Sequence, residues 1–122
     1  MATVTAVIND IPVNSKNGVA KSVSWTPITT TNTVGSGVSM PNANHVTLQL
    51  TGTFGAAATI VMEGSNDNAT WFTLTNKANT ALSSLTAAAG HEISEHPRFY
   101  SPRLLSGGDG STSITITMFM TE

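Results

Sequence analysis

Hydrophobic and polar residues alternate along much of this chain with a period of two, the spacing of a strand that buries one face. The run that sets the pattern is 59–74. Ile60 and Met62 fall on one face and Val61 and Glu63 on the other, and Trp71 to Leu74 alternate again after a Gly-Ser-Asn-Asp-Asn stretch. Gly64, Asn66, Asp67 and Asn68 tolerate positive φ or hydrogen-bond their own backbone, so a β-hairpin is predicted here. Val46, Leu48 and Leu50 against Thr47, Gln49 and Thr51 predict a strand over 45–51. Ile114, Ile116, Met118 and Met120 against Thr115, Thr117 and Phe119 predict a long final strand over 113–120. Val19, Lys21, Val23 and Trp25 alternate with small residues up to Pro27, which is expected to end that strand. The Thr-rich run 28–34 is a further strand candidate, broken by Gly35-Ser36-Gly37.

The remaining segments are less periodic. Residues 1–18 carry Asn9, Asp10, Pro12, Asn14, Asn17 and Gly18, and read either as a loose N-terminal arm or as a frayed terminus with one edge strand over 3–8. Within 75–90, rich in Ala, Ser and Thr, Leu82 and Leu85 are spaced as in a short helix without a capping signal, and a loop with a short strand over 82–86 is preferred. Strands are expected over 91–95 and 98–105, with Pro102 confining the second to a sheet edge or a bulge. Gly107-Gly108-Asp109-Gly110 reads as a hairpin turn. About eight strands with frequent turns predict an all-β chain: a single antiparallel β-sandwich or jelly-roll-like domain over 19–122, preceded by the arm 1–18. The expected core is Val46, Leu48, Leu50, Ile60, Met62, Trp71, Ile114, Ile116 and Met118.

Composition sharpens this picture. The 122 residues suit one domain. With 20 Thr, 13 Ser and 10 Asn against 12 charged residues, the chain combines β-formers with uncharged turn-formers. A net charge of −2 with five Lys and Arg argues against nucleic acid as a partner, since phosphate binding needs clustered cations. Without cysteine there is no disulfide framework and no thiolate metal site. No run is long and apolar enough for a signal peptide or membrane helix, so no membrane partner is expected and the chain is expected to be made in a cytosol. A surface of Thr, Ser, Asn and Ala suits contact with other protein.

Candidate chemistry is sparse. His91-Glu-Ile-Ser-Glu-His96 places its histidines five apart, whereas a zinc-binding helix needs them four apart, and on a strand they point to opposite faces. Asn66, Asp67 and Asn68 supply oxygens but lack the following acid of a calcium loop. No serine occupies a nucleophile-elbow context. No catalytic residue, metal or cofactor is therefore expected, and the chain is read as a non-enzyme. Trp25, Trp71, Phe72, Phe99 and Tyr100 could form a stacking platform for a glycan, with Trp71 more at home in a core. Arg98 and Arg103 suit pairing across an interface or on the surface. Trp25, Arg98, Tyr100 and Arg103 are thus the candidate interface residues.

The motif Glu63-Gly-Ser-Asn-Asp67 followed by Trp71, together with Arg98-Phe99-Tyr100, resembles the capsid decoration or cement proteins of tailed bacteriophages, small β-sandwich proteins. The hairpin is also similar to the discoidin-like domain, from which the chain departs at Asn68, where glycine is usual, and in its shorter length. The decoration resemblance implies a homotrimer on the outer surface of the virion head, bound to the major capsid protein and stabilising the expanded shell, and made in the bacterial host cytoplasm. The discoidin-like resemblance implies a carbohydrate- or surface-binding module of a tail fibre or adhesin. A head-to-tail or tail subunit is a further alternative.

Overall fold

A computed structural model of the chain describes residues 3–11, 20–39 and 43–121. Eleven strands and no helix are present among these residues: β1 (Thr3–Val4), β2 (Val7–Ile11), β3 (Ala20–Ile28), β4 (Val34–Gly35), β5 (Val38–Ser39), β6 (His45–Thr53), β7 (Thr59–Ser65), β8 (Phe72–Thr73), β9 (Ala89–Glu92), β10 (Phe99–Ser106) and β11 (Ser113–Thr121). They form two sheets that pack into a β-sandwich. The first runs β1-β4-β10-β7-β8, with β5 also on β10, and the second β2-β3-β11-β6-β9. All pairings are antiparallel except that of β1 with β4.

The second sheet follows from the period-two pattern. β11 lies between β3 and β6, with Met118 opposite Val23 on one side and Leu48 on the other. All four inward residues of β11, Ile114, Ile116, Met118 and Met120, are fully buried, and Val46, Leu48 and Leu50 of β6 join them. Ile60, Met62 and Leu104 of the first sheet face this layer across the core. Removing such apolar surface from water supplies the main drive for closing the sandwich, at about 1.5–3 kcal/mol per large side chain.

Pro27, expected to end a strand, and Pro102, expected at an edge or a bulge, both lie inside ladders. β3 continues to Ile28 because its register against β11 shifts between Trp25 and Ile28, so the extra residue falls at Thr26-Pro27 and the missing N–H interrupts no regular pair. β10 is an inner strand, not an edge. Pro102 fits there because its neighbour leaves the ladder between Val34, opposite Arg103, and Val38, opposite Tyr100.

Other expectations are corrected. Thr29–Thr33 forms a turn, closed by Thr29 N–H to Asn32 O (3.0 Å) and Asn32 N–H to Thr29 Oγ1 (3.1 Å), and only Val34–Gly35 is strand. The stretch assigned to an arm contributes β1 to the first sheet and β2 to the second, so through Ile11 it belongs to the sandwich; 12–18 lie outside the described residues. Between β8 and β9 the chain forms neither helix nor a strand over 82–86: Leu82 and Leu85 are buried, and a single bridge joins Leu85 to Ile60. The Gly107–Gly110 turn is no hairpin, since it carries the chain from β10 in one sheet to β11 in the other. Gly107 is required there: its φ is 75°, and a Cβ would sit 2.0 Å from the Ala57 carbonyl oxygen.

Candidate functional site

The two sequence stretches behind the family resemblance meet at one end of the first sheet. β7 and β8 form the expected hairpin, with Glu63 opposite Thr73 and Gly64 opposite Phe72. β10 lies on the other side of β7, with Tyr100 opposite Gly64 and Phe99 opposite Ser65. Arg98 N–H donates to Asn66 Oδ1 (3.2 Å), tying the turn to the start of β10.

Hydrogen bonding fixes the turn itself. Asp67 Oδ1 accepts from Thr70 N–H (2.7 Å), Ala69 N–H (2.9 Å) and the Ser65 hydroxyl (2.9 Å). These bonds, that of Thr70 first, hold the Asp67 carboxyl at about 2, below the usual aspartate range. They also consume 66–71 in the turn, so the ladder resumes only at Phe72. That is why Trp71 is not a core residue. It is half-buried against the Ser36-Gly37 loop, where a Cβ on Gly37 would lie 3.3 Å from its Cη2, and Leu74 takes the fully buried position instead.

The expected interface residues do not come together. Trp25 is fully buried, and its Nε1–H crosses to the first sheet to donate to Ser36 O (2.9 Å). Gly35 gives the indole room: a Cβ there would stand 2.7 Å from Trp25 Cδ1 and 2.6 Å from Pro102 Cδ. Tyr100 is also fully buried, and burial, then the nearby Glu95 charge, raises its phenol to about 12. With both rings inside, the expected aromatic platform is absent as a surface. Arg103 forms a two-pronged ion pair with Glu63 (3.0 and 3.2 Å), which raises the guanidinium pKa further. Arg98 is exposed, its guanidinium 5.2 Å from the centre of the Phe99 ring.

The histidine segment is likewise dispersed. β9 ends at Glu92, and Glu95 accepts from Thr75 N–H (2.8 Å) and Thr75 Oγ1–H (2.6 Å). Burial opposes ionisation of Glu95, but the Thr75 bonds outweigh it and its carboxyl is lowered. Asn76 Nδ2 lies 3.4 Å from His91 Nδ1, while His96 is exposed. Among the described residues no three His, Cys, Asp or Glu side chains are grouped to hold a metal.

The outer face of the second sheet is mostly uncharged, with His45 and Glu92 at one side. Ser22 and Ser24 of β3, Thr115 and Thr117 of β11, and Thr47 and Gln49 of β6 project from it in cross-strand register. Thr26 and Thr115 share a hydroxyl–hydroxyl hydrogen bond of 2.7 Å. Toward β9 the face opens into a trough of about 650 Å³ lined by Thr47, Gln49, Gly90, Glu92, Thr117 and Phe119. The trough exists because Gly90, opposite Gln49, carries no side chain. Phe119 stands beside it, 40 % exposed. Neither a family model nor a curated protein matches the chain. Phe119 and Gly90 were missed as functional candidates, although Phe119 is the one aromatic residue in the polar phase of its strand.

Proposed function

We propose that this chain is a non-enzymatic structural protein, a capsid decoration or cement protein of a tailed bacteriophage that binds the major capsid protein on the outer surface of the expanded head. The observation that carries the reading is the broad Ser/Thr face of the second sheet, nearly free of charge and held rigid by three nine-residue strands. Such a face loses little on desolvation compared with a charged one, which suits it to repeated protein contacts. The joining of the hairpin turn to Arg98 through Asn66 also supports the reading, because the resembling stretches then form one structural unit.

The mechanism is additive binding. Each bound copy favours the expanded shell over the opened one, by about 2.7 kcal/mol per site when free protein stands at 100 times its dissociation constant. Copies that touch several coat subunits gain further through effective concentration. Co-sedimentation with undecorated expanded heads, followed by heating, tests this. The expected result is saturable, stoichiometric binding and a higher temperature of head opening. Protein left in the supernatant at saturating concentration would overturn the reading.

A further inference from the structure

We propose that the trough beside β9 receives an arginine side chain of the coat protein, its stem on the Phe119 ring and its guanidinium on the Glu92 carboxylate. This rests on the decoration reading and names the chemistry of the contact. Phe119, Thr47 and Glu92 stand in one cross-strand row, since Thr47 is opposite Phe119 of β11 and opposite Glu92 of β9. All three project from the outer face. The next row, Thr117, Gln49 and Gly90, is hollow where Gly90 has no side chain, so open space runs beside the ring toward the carboxylate. With strands about 4.8 Å apart, ring and carboxylate flank Thr47 at a separation of roughly 10 Å. A long side chain laid along the row meets both.

Charge selects the occupant. Glu92 is the one carboxylate that lines the trough, and among the described residues no lysine or arginine lines it. The Glu92 side chain is 42 % exposed, and its ion-pair contact, His45 Nδ1, stands 3.8 Å away, beyond hydrogen-bond distance. Lys77 approaches β9 through its backbone, donating its N–H to Glu92 O (3.0 Å), and its ammonium is not in ion-pair contact with the carboxylate. His91 also borders the trough, but it is opposite Leu48, so its ring turns to the other face, where Nδ1 lies 3.4 Å from Asn76 Nδ2. The next acid along the chain, Glu95, is already engaged by Thr75. A carboxylate left this open, in one row with an exposed aromatic ring, matches a guanidinium, which meets carboxylates with two parallel N–H bonds and stacks on aromatic rings. An ammonium is a strongly hydrated point charge and gains less from such a pair. The Thr47 hydroxyl and the Gln49 amide supply further acceptors beside the row.

Co-sedimentation with undecorated expanded heads tests the contact and the decoration reading separately. Glu92→Gln keeps the shape and removes the charge, and Phe119→Ala removes the ring; both side chains are partly exposed, so thermal melting should match the wild type. Each variant should weaken head binding by roughly tenfold or more. Added salt should weaken binding of the wild type more than binding of Glu92→Gln. A second measurement leaves this chain unaltered. Heads whose arginines are blocked with an α-dicarbonyl reagent should bind the wild type as weakly as untreated heads bind Glu92→Gln, while heads with acetylated lysines should bind it normally. Wild-type binding that Glu92→Gln leaves unchanged, or that survives arginine blocking, would overturn the proposal and leave the decoration reading standing. Binding lost on lysine acetylation, or on periodate oxidation of head sugars, in place of arginine blocking would assign the trough to another ligand and also overturn it. A wild-type protein that stays in the supernatant would overturn the decoration reading and this contact with it.

Discussion

The two sheets contribute alike to one core and differ in their outer faces. On the first sheet the outer face is closed: Arg103 lies across from Val61, which is buried although it points away from the core, and pairs with Glu63. The face is also broken where the chain leaves the ladder at Ser36-Gly37. On the second sheet three nine-residue strands cross the middle, and their outward residues are mostly Ser, Thr and Gln beside Phe119, around an open trough. A closed face adds stability within the chain. An open, rigid and neutral face leaves its free energy to be gained in contact with something else.

Substitutions at the layer crossing should produce the largest effects. Trp25→Ala should cost about 3–5 kcal/mol in denaturant unfolding, since it empties the centre of the core and strands the Ser36 carbonyl. Trp71→Ala should cost only about 1 kcal/mol, because its ring is half-buried. Equal losses would contradict the placement of the two indoles. Gly35→Ala should cost about 1–3 kcal/mol by forcing Trp25 and Pro102 apart.

The outer faces should respond more weakly and unequally. Arg103→Ala should lower stability by about 1 kcal/mol, through loss of the two-pronged pair and of cover over Val61. Thr115→Ala on the open face should stay within about 0.5 kcal/mol. A larger loss at Thr115 would reverse the contrast between the faces.

Titration gives two further checks, smaller in effect. Asp67 and Glu95 have folded pKa values below their ordinary 3.8 and 4.5, so the stability they contribute is present above those ordinary values and is lost as pH falls below them, for Asp67 through about 2. Asp67→Asn should flatten the acid limb of stability against pH. Tyr100 is the chain's single tyrosine, so its absorbance titration reports one group. Its raised pKa stabilises the fold below pH 10, and this contribution disappears as pH rises to about 12. A phenol that ionises near pH 10 while the fold persists would show that the ring is not buried.

The contrast also explains what was legible in the sequence. Val46 to Leu50 and Ile114 to Met120 alternate without interruption, so their strands, their inward faces and the all-β class could be read directly. Most of the expected core, including Ile60 and Met62, lies where the pattern puts it. The first sheet resisted because its strands are short and joined by loops that pair only in three dimensions, as with β4, β5 and the Leu85 bridge. Trp25 and Trp71 exchanged roles for a similar reason. Periodicity states which residues share a face, but whether a ring is covered depends on a loop such as Ser36-Gly37 arriving from elsewhere. The proline positions were misread because a bulge and a gap in a neighbouring strand are properties of pairing, invisible in one strand alone.

The most direct test of the contrast is the co-sedimentation of two charged variants with undecorated expanded heads, Thr117→Arg at the centre of the open face and Leu105→Arg on the outer face of the first sheet. Both side chains point outward, and Leu105 is 44 % exposed, so each variant should fold. The expected result is loss of head binding for Thr117→Arg and wild-type binding for Leu105→Arg. Equal binding by the two variants, or loss of binding caused by Leu105→Arg alone, would contradict the assignment of the contact surface to the second sheet.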